Sequence, residues 1–278
     1  MNYLADTQIE IINSEIPRGK IRHALFDFDG TISLIREGWQ DVMLPMFVEI
    51  LRKETQTDET DEELAEVVRE FVYRLTGKQT IYQMIQLREE IEKRGGQAKD
   101  PLEYKYEYLD RLWQRIHTRV DALKSGTQKP EEYLLPGTVE LLNALKKHGA
   151  DLYLASGTDL PYVRDECRAL QVDHYFDPHI YGALDEYKKF SKRKIIHKIL
   201  EENQLSGPEL VAFGDGYVEI EDTKAVGGIA IGVASDEAGR IGIDMWKRER
   251  LIKAGADVII PNYVEYDALI RYLFEDAP

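Results

Sequence analysis

The segment Asp27-Phe28-Asp29-Gly30-Thr31-Ile32-Ser33 follows directly on the apolar run Ile21 to Phe26. A short apolar run bounded by turn residues reads as a strand buried on both faces. Side chains alternate along a strand, so carboxylates at i and i+2 project to the same side. Gly30 then permits a sharp turn. The pair is therefore expected in one small site at a strand's carboxyl end, where open α/β sheets place their ligands. An Asp-Gly turn alone is common. Three later segments distinguish this one: Leu152 to Ala155 leading into Ser156-Gly157-Thr158-Asp159, a lysine cluster at 188–194, and Leu210 to Phe213 leading into Gly214-Asp215-Gly216.

The rest of the chain sets the fold class. Gln8 to Ile12 alternates apolar and polar residues, and Pro17-Arg18-Gly19 signals a turn before the strand Ile21 to Phe28. This opening is expected to form a hairpin on the edge of the main sheet. From Trp39 to Leu123 the apolar period becomes helical, giving four helices separated at Thr55 to Thr60, Thr76-Gly77-Lys78 and Arg94-Gly95-Gly96. Each has one apolar stripe, as in a small bundle. From Pro136 strands and helices alternate. Strands are expected at 151–155, 179–181, 210–213, 228–233 and 257–260, and helices at 138–147, 161–170, 192–203, 218–226, 244–254 and 264–274. Such alternation means a mostly parallel sheet covered by helices on both faces. The expectation is an α/β, Rossmann-like core of residues 1–33 and 134–278, with an all-α block, 34–133, inserted after the first strand's loop.

Composition narrows the partners. A chain of 278 residues with 43% hydrophobic residues suits two units, one set within the other. A formal net charge of −15 argues against nucleic acid and against anionic membranes, because no basic surface is available to meet phosphates. A cation and one or two lysines can still reverse the field locally. The single Cys167 excludes an internal disulfide framework and reads as apolar filler on a helix. The polar N-terminus lacks a signal core, and no segment approaches a membrane span, so a soluble cytoplasmic protein is expected.

The four segments together resemble the haloacid dehalogenase superfamily, in its phosphatase branch of the phosphoglycolate-phosphatase-like kind. Its signature is Asp-x-Asp-Gly-Thr, a strand ending in Ser or Thr, a Lys, and Gly-Asp followed by a further acid. Here these are Asp27/Asp29, Ser156, Lys192, and Gly214-Asp215 with Glu219. The resemblance covers 21–33 and 135–274, and the position of the helical block resembles the family's cap inserted after the first motif. It implies Mg²⁺ held by Asp27, the Asp29 backbone carbonyl, Asp215 and Glu219.

The residue chemistry agrees with that reading. A carboxylate such as Asp27 can attack phosphorus and split one displacement into two. Asp29, beside it, suits a general acid and base. Ser156 and Gly157, at a strand–helix junction, can bind phosphate oxygens, with a helix cap at Thr158 or Asp159. A lysine is expected to neutralise the phosphoryl group. Lys192, just after Ser191 at a helix start, is the candidate, with Lys194 as runner-up. Asp215 offers a hard oxygen to a hard cation. Glu219 stands where the family more often has Asp, and Asp222, one turn on, is the alternative.

The expected reaction is Mg²⁺-dependent hydrolysis of a small soluble phosphate monoester. A phosphomutase, a pyrophosphatase and a non-catalytic phospho-ligand sensor remain open on the same residues. A dehalogenase fits less well, needing neither metal nor a second acid like Asp29. In the cap, Lys78 and Gln79 are expected to face substrate, with Arg36, Glu37 and Trp39 just past the hinge. Tyr104 and Tyr108 are expected to pack inside the bundle.

Overall fold

A computed structural model describes residues 2–275. Seven strands form one sheet: β1 (Glu10–Ile11), β2 (His23–Phe26), β3 (Asp151–Asp159), β4 (Ile180–Ala183), β5 (Leu210–Gly214), β6 (Ile229–Val233) and β7 (Val258–Ile260). Their order is β1-β7-β6-β5-β2-β3-β4, and all neighbours are parallel except β1 with β7. The chain's first long strand, β2, lies between β3 and β5, and strand order reverses there. Its carboxyl end is thus the topological switch point of the sheet, where ligands collect in open α/β folds.

Full burial of β2 on both faces follows from helices covering each side. Phe26 stacks on Phe213 with ring centroids 4.5 Å apart and meets Phe176 edge-on. Ala24, Phe26, Leu154 and Phe213 face one apolar cluster, shared with Leu141 and Leu145 of α5 (Thr138–Lys147) and Leu269 and Leu273 of α11 (Tyr266–Phe274). Leu25, Tyr153 and Ala212 face the other way, against Ile195, Ile196 and Ile199 of α8 (Lys192–Asn203). This is the two-residue alternation of a doubly covered sheet.

The expected edge hairpin is not formed. Both edges of β2 are taken by parallel partners, and Glu10–Ile11 instead caps the far side of the sheet against β7. The strand expected at 179–181 lies at Ile180–Ala183, and β3 runs on through Asp159 with an irregular register beyond Ala155.

Between β2 and α5 stand four α-helices, α1 (Gln40–Glu54), α2 (Asp61–Leu75), α3 (Ile81–Lys93) and α4 (Pro101–Lys124). Local chemistry starts two of them: Thr60 with Glu63, and Asp100 with Glu103, form capping boxes, and Pro101 takes the first position of α4. Phe47 stacks on Phe71 to join α1 to α2. The chain leaves and re-enters the core side by side, with Leu34 N–H donating to Tyr133 O at 2.8 Å and Leu135 N–H to Ile32 O at 3.0 Å. No described helix is long and apolar enough to cross a membrane.

Candidate active site

Asp27 begins one residue after β2, its N–H bonded to Phe213 O on β5, and its own Oδ1 accepts from Phe28 N–H at 2.8 Å. It is 8% exposed. Lys192, at the first position of α8, lies 2.8 Å from Asp27 Oδ2 and 2.9 Å from Glu219 Oε2. Burial pushes the Asp27 carboxyl well above its ordinary range, the Lys192 ammonium working against that shift and the Glu219 charge adding to it. Burial alone would depress Lys192, but the facing Asp27 and Glu219 charges push it up. The lysine is therefore held protonated between two acids.

Asp27, Asp215 and Glu219 each offer an oxygen within 4.8 Å of the others. Asp215 follows β5, and Glu219 lies in the first turn of α9 (Tyr217–Ala225), where its Oε1 accepts from Gly216 N–H at 2.7 Å. Three carboxylates, Asp27 and Glu219 buried and Asp215 half-buried, are the donor chemistry of a hard divalent cation. The backbone leaves room for the Asp215 carboxylate in this set: a Cβ on Gly30, which has φ +73°, would stand 2.4 Å from Asp215 Oδ2. The residues thus fit Mg²⁺. Asp222, the alternative second acid, is not in this set. Lys194 is exposed and its ammonium turns to Lys188 O.

Asp29 faces the hydroxyls at the end of β3. Its Oδ2 accepts from Ser156 Oγ at 3.2 Å and Thr158 Oγ1 at 2.8 Å. Ser156 Oγ also accepts from Thr158 N–H at 2.9 Å. The expected cap of the next helix, α6 (Leu160–Ala169), is absent because both side chains are engaged elsewhere. Thr158 serves Asp29, and Asp159 meets the buried Lys105 of α4 at 2.5 Å. Asp29 Oδ1 accepts no hydrogen bond from the described residues, and Arg36 Nε lies 3.6 Å away. Arg36 is itself buried and grips Glu166 of α6, with Nη2 2.6 Å from Oε1.

A second buried network holds Asp215 from behind. Lys247, on α10 (Met245–Ala254), lies 2.8 Å from Asp215 Oδ2 and 2.7 Å from Glu237 Oε1, and Ser235 Oγ donates to Gly30 O at 2.9 Å. Neither the Arg36–Glu166 pair nor the Lys247–Glu237 pair is visible as a motif. Arg36 and Glu166 lie 130 residues apart and Lys247 and Glu237 lie 10 apart, and only the fold joins either pair.

The cap loop 76–80 closes the site. A Cβ on Gly77 would stand 3.2 Å from Gly216 Cα, and one on Gly157 would stand 3.0 Å from Lys78 O. Beneath lies a cavity of about 100 Å³, lined by Asp27, Asp29, Lys192 and Asp215 on the core side and by Arg36, Trp39, Gln83 and Tyr108 among those facing them. Glu37 and Lys78 also reach its lining. Tyr108 is buried in the bundle's apolar cluster, as expected, and also lines the cavity, while Tyr104 stays inside and donates to Glu54. Gln79, expected to face substrate, turns the other way: its Nε2 donates to Phe190 O at 2.9 Å and Tyr187 O at 3.2 Å. Lys78 is exposed, its ammonium over the Tyr82 ring. Cys167 is buried on α6, as expected of a filler, and burial pushes its thiol up.

The haloacid dehalogenase-like hydrolase family model matches residues 21–227, most of the chain. The chain belongs to that family. Its fold is shared with a haloacid dehalogenase-like family hydrolase from Streptococcus pneumoniae (18% identity, TM-score 0.54, covering 90% of this chain and 98% of that one). It is shared with a family IA, variant 3 hydrolase from Entamoeba histolytica (19%, 0.58, 91% and 99%). A third likeness is to CbbY from Rhodobacter sphaeroides, solved in complex with phosphate (20%, 0.54, 88% and 96%). At these identities the likeness is one of fold. No curated protein sequence matches the chain.

Proposed function

We propose that this hydrolase is a Mg²⁺-dependent phosphatase acting on a small soluble phosphate monoester, with residues 34–133 as its lid. The observation that carries the reading is the arrangement around Asp27. A buried carboxylate at the switch point has an ammonium 2.8 Å away, a second carboxylate two residues on, and a cavity of about 100 Å³ in front.

Asp27 attacks phosphorus; the new P–O bond forms as the ester P–O bond breaks, and Asp29 gives its proton to the departing oxygen. Asp29 then takes a proton from water, which attacks the same phosphorus and releases phosphate from Asp27. Ser156 Oγ and Thr158 Oγ1, donating to Asp29, orient it for both transfers. Lys192 and the backbone at Gly157 neutralise and seat the phosphoryl oxygens. Asp27, Asp215 and Glu219, with the Asp29 carbonyl, would hold Mg²⁺, which supplies charge stabilisation to the transferring group when bound. The small cavity and the acidic surface favour a small metabolite over a macromolecule.

Phosphate release is measured from a panel of phosphoesters and pyrophosphate, with Mg²⁺ or chelator, for the parent and Asp27→Asn. Metal-dependent release that disappears in the variant is the expected result. Release that survives Asp27→Asn, or its absence from every compound with folded, metal-loaded protein, refutes the proposal. In the second case, transfer between two sugar-phosphate positions would point to a mutase and binding without turnover to a sensor.

A further inference from the structure

The cap loop is seated on the core by a contact that the proposed chemistry does not use. Arg250, on α10, reaches across to the C-terminal end of α2. Its Nη2 donates to Thr76 O at 2.9 Å and Arg74 O at 3.1 Å, and Nη1 donates to Tyr73 O. The last carbonyls of a helix have no partner within the helix and carry its negative end. A planar guanidinium can serve several of them at once; a lysine's point charge cannot.

The fork is held in place from below. The Arg250 guanidinium lies 4.6 Å from the Tyr217 ring centroid and 5.1 Å from that of Trp246, and Trp246 in turn packs on Tyr73 of the cap, 5.3 Å between centroids. Tyr217 is two residues past Asp215. One residue beyond the gripped Thr76 carbonyl, Gly77 lies against Gly216 so closely that a Cβ on Gly216 would stand 2.9 Å from Gly77 Cα. The contact therefore joins the end of α2, the loop roofing the cavity and the segment bearing Asp215. Lys247, one turn before Arg250 on the same helix, bonds Asp215 itself.

We propose that Arg250 is a positioning residue, a latch from the core that holds the cap loop 76–80 down over the active site. It touches no reacting atom. It acts by setting the fraction of molecules in which the roof is closed, and apparent affinity scales with that fraction.

The test compares the parent with Arg250→Met, which keeps an apolar stem over Tyr217 and Trp246 but has no donors, and with Arg250→Lys. Hydrogen exchange of peptides covering 73–80 is the first readout. In Arg250→Met it should rise by roughly tenfold or more, the order expected for losing charge-assisted hydrogen bonds, while core strands exchange as in the parent. Arg250→Lys should restore only part of the protection. The second readout is kinetic. With a phosphoester that the parent hydrolyses, KM should rise roughly tenfold with kcat little changed, because saturating substrate pulls the roof shut.

Unchanged exchange at 73–80 overturns the latch, as does exchange that rises equally throughout the chain. Full rescue by Arg250→Lys overturns the role given to the fork. A fall in kcat at unchanged KM overturns the positioning role. The kinetic arm rests on the phosphatase reading and the exchange arm does not, so a parent inactive on every ester refutes that reading while the exchange result still decides the latch.

Discussion

Lys192→Met tests the electrostatic design of the site without requiring a substrate. The side chain is 5% exposed and makes both of its ion pairs with acids that are themselves buried, Asp27 at 8% and Glu219 at 1%. Methionine keeps most of the volume and removes the charge, leaving two buried carboxylates, with Asp215 close by, facing one another unpaired. Removing one partner of a buried ion pair typically costs about 3–5 kcal/mol. For a chain of this size that corresponds to a fall in Tm of roughly 6–20 °C.

The pH dependence has a definite sign. In the parent the folded Asp27 carboxyl already lies well above its ordinary range through burial. Loss of the ammonium raises it further, above an unfolded value of about 3.9. A carboxyl raised in the folded state binds more protons there than in the unfolded chain. Its penalty is absent below about pH 4 and grows as pH rises toward the folded value. The stability difference between parent and Lys192→Met, from urea unfolding with chelator present, should therefore be larger at pH 8 than at pH 5. Added Mg²⁺ should recover part of it at pH 8, since a cation held by Asp27, Asp215 and Glu219 takes over the screening. A loss below about 1 kcal/mol at pH 8, or one that grows toward pH 5, would show that Lys192 does not balance these buried acids.

Gly30→Ala should cost about 2–5 kcal/mol by denaturant unfolding, from a left-handed φ of +73° and a Cβ placed 2.4 Å from an Asp215 oxygen already pinned by Lys247. A midpoint equal to the parent's would show that the loop relaxes freely. Glu59 is held down to about 2 by hydrogen bonds from Arg94, then Thr57. Its stabilisation is therefore complete above the unfolded carboxyl value and disappears as pH falls through about 2. Because Glu59 is partly solvated, Glu59→Gln should cost only roughly 0.5–1 kcal/mol at pH 7, and the gap from the parent should narrow between pH 4.5 and 2.

Much of the fold was legible because it is written in local periods. The largely apolar runs of β2 and β5, the four amphipathic helices between Trp39 and Leu123, and the turn glycines are properties of short windows. The capping boxes at Thr60 and Asp100 mark helix starts in the same way. The order Asp27-x-Asp29, Ser156, Lys192, Gly214-Asp215 and Glu219 was likewise readable, because each residue stands at the end of a strand or the start of a helix. A parallel sheet brings those ends to one edge. The exceptions are instructive. Glu10–Ile11 looked like the hairpin partner of β2, but strand pairing is settled by which edges are free, and β2 has none.

Which side chain faces which is settled by the packing of the elements against one another. Tyr104 and Tyr108 both pack in the bundle, yet one meets Glu54 and the other also lines the cavity with Arg36. Gln79 looked substrate-facing from its place in a polar loop, and the fold spends its amide on the carbonyls of Tyr187 and Phe190. Arg36 with Glu166, Lys247 with Asp215, and Arg250 with the end of α2 join residues from distant parts of the chain. Buried charges must find partners wherever packing brings them. The elements and the reactive residues at their ends follow from local sequence, because hydrophobic period and turn chemistry act over a few positions. The networks that orient those residues, and the latch that roofs them, depend on distances between elements that no local pattern encodes.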